Sequence, residues 1–147
     1  MDIILDFDGT VVTNEFPQIG GDIGAVPVLK ELVECGHNLI LFTMRSDMRE
    51  SHTKNPGIIN APGNYLTDAV NWFQRYGIPL HGIQKNPDQH IWTTSPKAYG
   101  HIMIDDKTVG CPLVHGKHRS PYADWIRIRE LLAGMGYFSK EGSLQDH

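Results

Sequence analysis

The chain is poor in the features that mark several classes of function. It has two cysteines, Cys35 and Cys111, among 147 residues. They lie in apolar surroundings without metal-ligand spacing, which argues against a disulfide-stapled scaffold and a zinc ribbon. Both read as small buried hydrophobes in a reducing compartment. Basic residues are few and scattered: 13 Lys and Arg stand against 17 Asp and Glu, for a net charge of −4. That leaves no electrostatic footprint for nucleic acid or an anionic membrane. No apolar run approaches the length of a bilayer span, and no export signal is evident, so the expected compartment is the cytoplasm. The eight histidines are dispersed and show no paired ligand spacing. There is no internal repeat and no low-complexity segment.

What is present fits one soluble domain over residues 1–147. Apolar residues make up 40% and charged residues 20%, and a chain of this length buries roughly two-thirds of its unfolded surface. The organising stretch is Ile3-Ile4-Leu5-Asp6-Phe7-Asp8-Gly9-Thr10-Val11-Val12. It opens apolar and β-branched, as a buried strand does. Two carboxylates then follow two residues apart, and positions i and i+2 of an extended chain share a side. Such a pair repels unless a cation or shared proton holds it, and a hard, oxygen-ligated ion such as Mg²⁺ suits it. Gly9 permits a turn and close approach. Thr10 offers a hydroxyl and an N–H. Asp-Gly is also a common turn signal, so the pair alone does not decide between a strand end and a site.

The remaining pattern alternates strand and helix. Residues 11–21 are turn-rich, with a small hairpin as one option. Asp22 is a candidate N-cap for a helix carrying Val26, Leu29, Leu32 and Val33 at helical spacing and ending at Gly36. Asn38 to Thr43 is a second apolar run closed by a hydroxyl. Residues 48–64 are irregular. Tyr65 to Tyr76 is an amphipathic helix with Leu66, Ala69, Val70 and Phe73 on one face. Ile78 to Ile83 is a short strand candidate, and Ser95 to Ala98 a single helical turn. His101 to Asp106 repeats the opening pattern of apolar strand and two acids. Pro112 to Val114 is a possible fifth strand. Pro121 to Met135 is a closing helix with Trp125, Ile128, Leu131 and Leu132 inward. Residues 142–147 read as a frayed tail. The expected fold is α/β: a three-layer, Rossmann-like arrangement with a central, mostly parallel sheet. Ligands in such sheets sit beyond the carboxyl ends of the strands, so Asp6/Asp8, Thr43 and Asp105/Asp106 should converge.

With these motifs in this order, the chain resembles phosphatases of the haloacid dehalogenase superfamily. Asp6-Phe7-Asp8-Gly9-Thr10-Val11 looks like the first motif, Thr43 the second, and Asp105-Asp106 the acidic fourth. The resemblance implies a lysine between the second and fourth, with Lys97 the candidate and Lys85 its competitor. It implies Asp6 as nucleophile and Asp8 as acid and base, with Mg²⁺ held by Asp6, the Asp8 carbonyl and Asp105. Asp106 would hold a metal-bound water or orient the lysine. Thr43 and Lys97 would bind the phosphoryl oxygens, with Gly9, Thr10, Met44 and Arg45 at the substrate. A bland alternative stands beside each: Thr43 as a strand-end hydroxyl, the lysines and Arg45 as solvated surface charges, Trp72 and Trp92 as packing groups. The carboxylate at position 8 disfavours a carbon–halogen substrate.

Asp8 and Thr43 are separated by 34 residues, and Thr43 and Lys97 by 53. One helix, and a helix with a strand, consume most of these, so a full cap domain does not fit. Residues 48–64 could form at most a lid loop. The expected site is open, admitting a small or protruding phosphorylated molecule or glycan (sugar phosphate or nucleotide type) or closed by a second subunit. The implied activity is Mg²⁺-dependent phosphomonoester hydrolysis through an aspartyl-phosphate. Phosphoryl transfer of mutase type and a non-catalytic phosphate-binding module are the alternatives.

Overall fold

Ile3, Ile4 and Leu5 are almost wholly excluded from solvent, which only a strand covered on both faces achieves. In the computed structural model, which describes residues 1–48, 61–117 and 119–139, they form β1 (Asp2–Leu5). β1 lies between β2 (Asn38–Leu41) and β6 (Ile102–Ile104), parallel to both. Ile3 stands opposite Leu39 and Ile102; Leu5 stands opposite Leu41 and Ile104. β5 (Gly82–Ile83) extends the sheet beyond β2, giving the order β5-β2-β1-β6. Two antiparallel pairs lie outside this sheet. β3 (Asp47–Met48) pairs with β4 (Gly63–Asn64), and β7 (Leu113–Val114) with β8 (Tyr122–Ala123).

The helices are α1 (Ala25–Glu34), α2 (Tyr65–Arg75) and α3 (Trp125–Gly134). The side chains they bury join Ile3, Leu5 and Phe7 in one core: Leu29 and Leu32 from α1, Ala69 and Phe73 from α2, Trp125, Ile128 and Leu132 from α3. The alternate residues of the sheet, Ile4 and Ile40, are buried with Ala98 instead. The chain is thus α/β with a central four-stranded parallel sheet flanked by helices. Its layering departs from the expectation, because the link between β5 and β6 carries a 3₁₀ turn at Gln89–Ile91 and no α-helix. Among the described residues no helix is long and apolar enough to cross a membrane.

Several local expectations change. Gly24, not Asp22, caps α1; Asp22 Oδ1 accepts the Gly24 N–H, closing the turn before the helix. The single turn expected at 95–98 is absent, because Gln89 captures the segment by bonding the carbonyls of Ser95 and Lys97. Residues 11–21 form no regular strand, but Val12 makes an antiparallel bridge to Asp22 and the Thr13 N–H bonds the Gly21 carbonyl, so the loop closes as a minimal hairpin, with Val12 also bridging Asp8 in parallel. The strand at 112–114 pairs with β8 and not with the sheet. Leu131 is 56% exposed, while Leu132 is buried. Of the lid expected at 48–64, residues 49–60 lie outside the described residues, as does the tail at 142–147.

The inward face of α3 gives a direct check. Leu132→Ala should destabilise by about 2–5 kcal/mol, as cavity-forming core truncations do. Leu131→Ala should stay within about 0.5 kcal/mol. Denaturant titration of both variants measures this, and equal losses would restore the face expected from periodicity.

Candidate active site

Parallel strands bring their ends to one rim. Beyond β1 the ladder continues for one residue, with the Asp6 N–H bonding the Ile104 carbonyl at 3.1 Å. This sets Asp6 beside Asp105 and Asp106, which follow β6. One carboxylate oxygen from each of the three lies within 4.8 Å of the others. Asp106 is buried, and Asp6 and Asp105 are half-buried.

The turn after β1 is built to admit this crowding. Thr10, wholly buried, places its hydroxyl 3.0 Å from Asp6 Oδ2 and 3.1 Å from Asp106 Oδ1, and accepts the Asp106 N–H. Gly9 has φ +81°, and a Cβ there would stand 2.5 Å from Asp106 Oδ2. Any side chain at position 9 would therefore push Asp106 out. The closing segment pins the turn from behind: Trp125 Nε1–H donates to the Thr10 carbonyl at 2.6 Å, and the Ala123 N–H to the Gly9 carbonyl at 2.9 Å. Gly9 and Thr10, expected at the substrate, thus shape the acids; the hydroxyl of Thr10 is spent on carboxylates.

Burial, and then the charge of Asp105, push the Asp6 carboxyl up to about 7. The Phe7 N–H and Thr10 oppose this, while the contact with Asp106 adds to it. The Cys111 thiol is pushed up by burial and by Asp106 and Asp105. Both shifts mark a place short of positive charge. An oxygen-only set of three carboxylates fits a hard divalent cation such as Mg²⁺, so the residues present suit the ion that the resemblance implies.

Asp8 has a different fate. Arg45 Nε and Nη2 lie 2.8 Å from Asp8 Oδ2 and Oδ1 in a two-pronged pair. Arg45 is 1% exposed. Its remaining N–H groups reach the carbonyls of Pro17, Gln18 and Tyr65, so all five are engaged. The guanidinium carbon lies 5.2 Å and 5.0 Å from the ring centroids of Phe7 and Phe16. Arg45 is therefore neither a substrate ligand nor a surface charge, which corrects both expectations: a guanidinium with no free donor has nothing left to offer. Asp8 contributes no side-chain oxygen to the three-acid group.

Gln84, with φ +65°, fixes the loop that carries Arg45. Its amide accepts from the Thr43 N–H and donates to the carbonyls of Thr43 and Arg45. Thr43 Oγ1 accepts the Arg45 N–H, which leaves its own proton to donate. Nothing in the local sequence marked Gln84; its partners lie about forty residues away.

A cleft of about 510 Å³ joins these groups, lined by Asp6, Asp8, Asn14, Phe16, Thr43, Met44, Arg45, Asp105, Asp106 and Lys107. Met44 is 98% exposed at its mouth. Lys97 is not there. It lines a separate cavity with Trp92, Tyr99 and His101, before the amino end of β6. The expectation for Lys97 is thus corrected: it precedes the strand whose far end bears the acids, and no helix carries it back. Lys85 is exposed and does not line the cleft either. Among the described residues the lysine that does is Lys107, whose backbone N–H bonds Asp105 Oδ1. Adjacency to Asp106 was the available signal for it. Trp72 is buried against Phe7, as expected of a packing group, whereas Trp92 is 60% exposed.

Two outcomes follow for the metal-free protein. An acid raised from 3.8 to about 7 on folding holds its proton longer folded than unfolded, so its stability contribution is lost as pH rises between those values. Relative to Asp6→Asn, wild type should lose stability from about pH 4 to about pH 7 and level off above; parallel profiles would contradict this. Millimolar Mg²⁺ at alkaline pH should raise the wild-type Tm by about 2–8 °C and that of Asp105→Asn by little. Calorimetry reads both, and an equal rise in the two proteins would remove Asp105 from the ion.

No protein-family model matches the chain, and no curated protein matches it. A solved structure from Bacteroides thetaiotaomicron, described as a conserved protein, is similar, with 29% sequence identity and a TM-score of 0.65. The likeness covers 96% of this chain and 98% of that one, so the architecture described above is shared along nearly its whole length.

Proposed function

We propose that the chain is a Mg²⁺-dependent phosphomonoester hydrolase of the haloacid dehalogenase type, working through an aspartyl-phosphate. The observation that carries this reading is the grouping of Asp6, Asp105 and Asp106 within 4.8 Å at the carboxyl rim of a parallel sheet. A cluster of this kind does not by itself name a reaction. Its position at the mouth of a cleft that also offers a hydroxyl and a lysine makes phosphoryl chemistry the best fit.

A carboxylate oxygen of Asp6 attacks phosphorus, and the bond to the leaving oxygen breaks. Water then attacks the phosphoryl group on Asp6, the Asp6–phosphorus bond breaks, and inorganic phosphate departs. Asp6, Asp105 and Asp106 would hold Mg²⁺. When bound, the ion supplies the positive charge that offsets repulsion between Asp6 and a phosphate dianion. Thr43 donates its free proton to a phosphoryl oxygen, and Lys107 takes the neutralising role first expected of Lys97. Asp8 faces the cleft and receives the proton of the attacking water.

Transfer to a second hydroxyl, as in a mutase, uses the same residues but needs water excluded. The exposure of Met44 at the mouth speaks against that. A non-catalytic phosphate-binding module is favoured by one observation, the engagement of Asp8 by Arg45. Turnover separates the two. Purified protein with Mg²⁺ should release phosphate from p-nitrophenyl phosphate, chelator should abolish this, and Asp6→Asn should lose at least about a thousandfold in kcat. Equal rates in Asp6→Asn and wild type would end the reading.

A further inference from the structure

Between the 3₁₀ turn at Gln89–Ile91 and β6 the chain has no regular structure, yet two buried amides hold it. Gln89 Nε2 donates to the carbonyls of Ser95 and Lys97 at 3.2 Å and 3.0 Å, and Gln89 Oε1 accepts the Tyr99 N–H at 2.7 Å. Asn86 Nδ2 donates to the Tyr99 carbonyl at 2.9 Å. A loop fixed in this way has its shape before any ligand arrives, which lowers the cost of binding one. With Ile4 and Ile102 of the sheet it encloses the cavity of about 450 Å³ that holds Lys97, a volume typical of small-molecule sites.

The hydrogen-bonding polarity of this lining is one-sided. Thr93 Oγ1 accepts the Ser95 N–H and Ser95 Oγ accepts the Lys97 N–H, so each hydroxyl keeps its own proton to donate. His101 Nδ1 accepts the Asp2 N–H at 2.9 Å, which puts the proton of the neutral ring on Nε2. The Lys97 ammonium and the Trp92 indole are donors only, and neither has a partner among the described residues. Acceptors are spent, since the carbonyls of Ser95, Lys97 and Tyr99 already serve Gln89 and Asn86. Among the described residues no carboxylate lines the cavity, and Lys97 is its one fixed charge.

The apolar part of the lining is a corner of two rings. Trp92 is 60% exposed and Tyr99 42%, and their planes meet at 87° with centroids 5.4 Å apart. A flat ring laid on one of them meets the other edge-on, the two arrangements that aromatic pairs prefer. A sugar suits the place badly, because each of its hydroxyls brings a proton that needs an acceptor. A dianion exceeds the single ammonium.

We infer that this cavity binds a small aromatic carboxylate, its ring in the corner of Trp92 and Tyr99 and its carboxylate on Lys97 and the neighbouring donors. This is a second site, beside the start of β6, whereas the three acids gather beyond that strand's other end. It does not depend on the hydrolase reading, and its failure would leave that reading untouched.

The test is an NMR titration of the indole N–H signals. The chain has three tryptophans, and W92F identifies the signal of Trp92. Added 2-naphthoate should move that signal with a Kd below about 1 mM and leave the signals of the buried Trp72 and Trp125 in place. K97M, at an exposed position that leaves the fold intact, should weaken binding by at least about tenfold, the loss of one charge-assisted hydrogen bond. K107M, altered in the acidic cleft, should keep the wild-type Kd. The 2-naphthylmethylammonium ion, with the same ring and the opposite charge, should bind at least about tenfold more weakly than 2-naphthoate. A Kd above about 1 mM for 2-naphthoate, equal binding of the two ions, an unchanged Kd in K97M, or a loss in K107M as large as that in K97M overturns the inference.

Discussion

Mutual repulsion among three carboxylates sets the terms for the rest of this structure. Asp6, Asp105 and Asp106 meet within 4.8 Å. At an effective dielectric of about 20, each ionised pair at that separation opposes folding by roughly 3–4 kcal/mol. A chain that keeps such a group must hold it in place, and most of the unusual features of the rim do so. Thr10 stands between two of the acids with its hydroxyl buried. Gly9 leaves the space that Asp106 fills. Trp125 and Ala123, from the closing segment, fasten the backbone of that turn. The restraint is organised by protein atoms, yet the charge is left uncompensated, as the raised Asp6 shows. That combination is what the proposed cation site rests on.

A fourth acid was treated differently. Asp8 is matched by a buried arginine whose five N–H groups all have acceptors. The loop bearing that arginine is itself clamped by Gln84. The rim therefore has two electrostatic compartments. One is neutralised by the protein, and the other lies open to a cleft with Lys107 at its margin. Two acids two residues apart beyond one strand thus come to stand in different electrostatic surroundings.

The convergence of the acids was legible in the sequence because it depends on little. Two apolar runs each ending in carboxylates, placed in a parallel sheet, must present those ends on one rim. Asp6 and Asp105 follow from that rule alone. Arg45 was not legible, since arginine is ordinarily a surface residue and its burial depends on Pro17, Gln18 and Tyr65, far off in the chain. Lys97 misled for a related reason. The resemblance alone put it at the site; it precedes β6, whose far end bears Asp105, and Gln89 holds its stretch in irregular form. Leu131 shows the limit of periodicity: it lies one position from Leu132 yet points to solvent, because α3 meets the core along a narrow line.

The central claim is that one divalent cation sits among these acids. A crystal soaked in Mn²⁺, with anomalous scattering recorded, addresses it directly. The account predicts a single strong peak about 2.0–2.3 Å from oxygens of Asp6, Asp105 and Asp106. A crystal with full Mn²⁺ access and no peak there, or with its peak elsewhere on the chain, would contradict it.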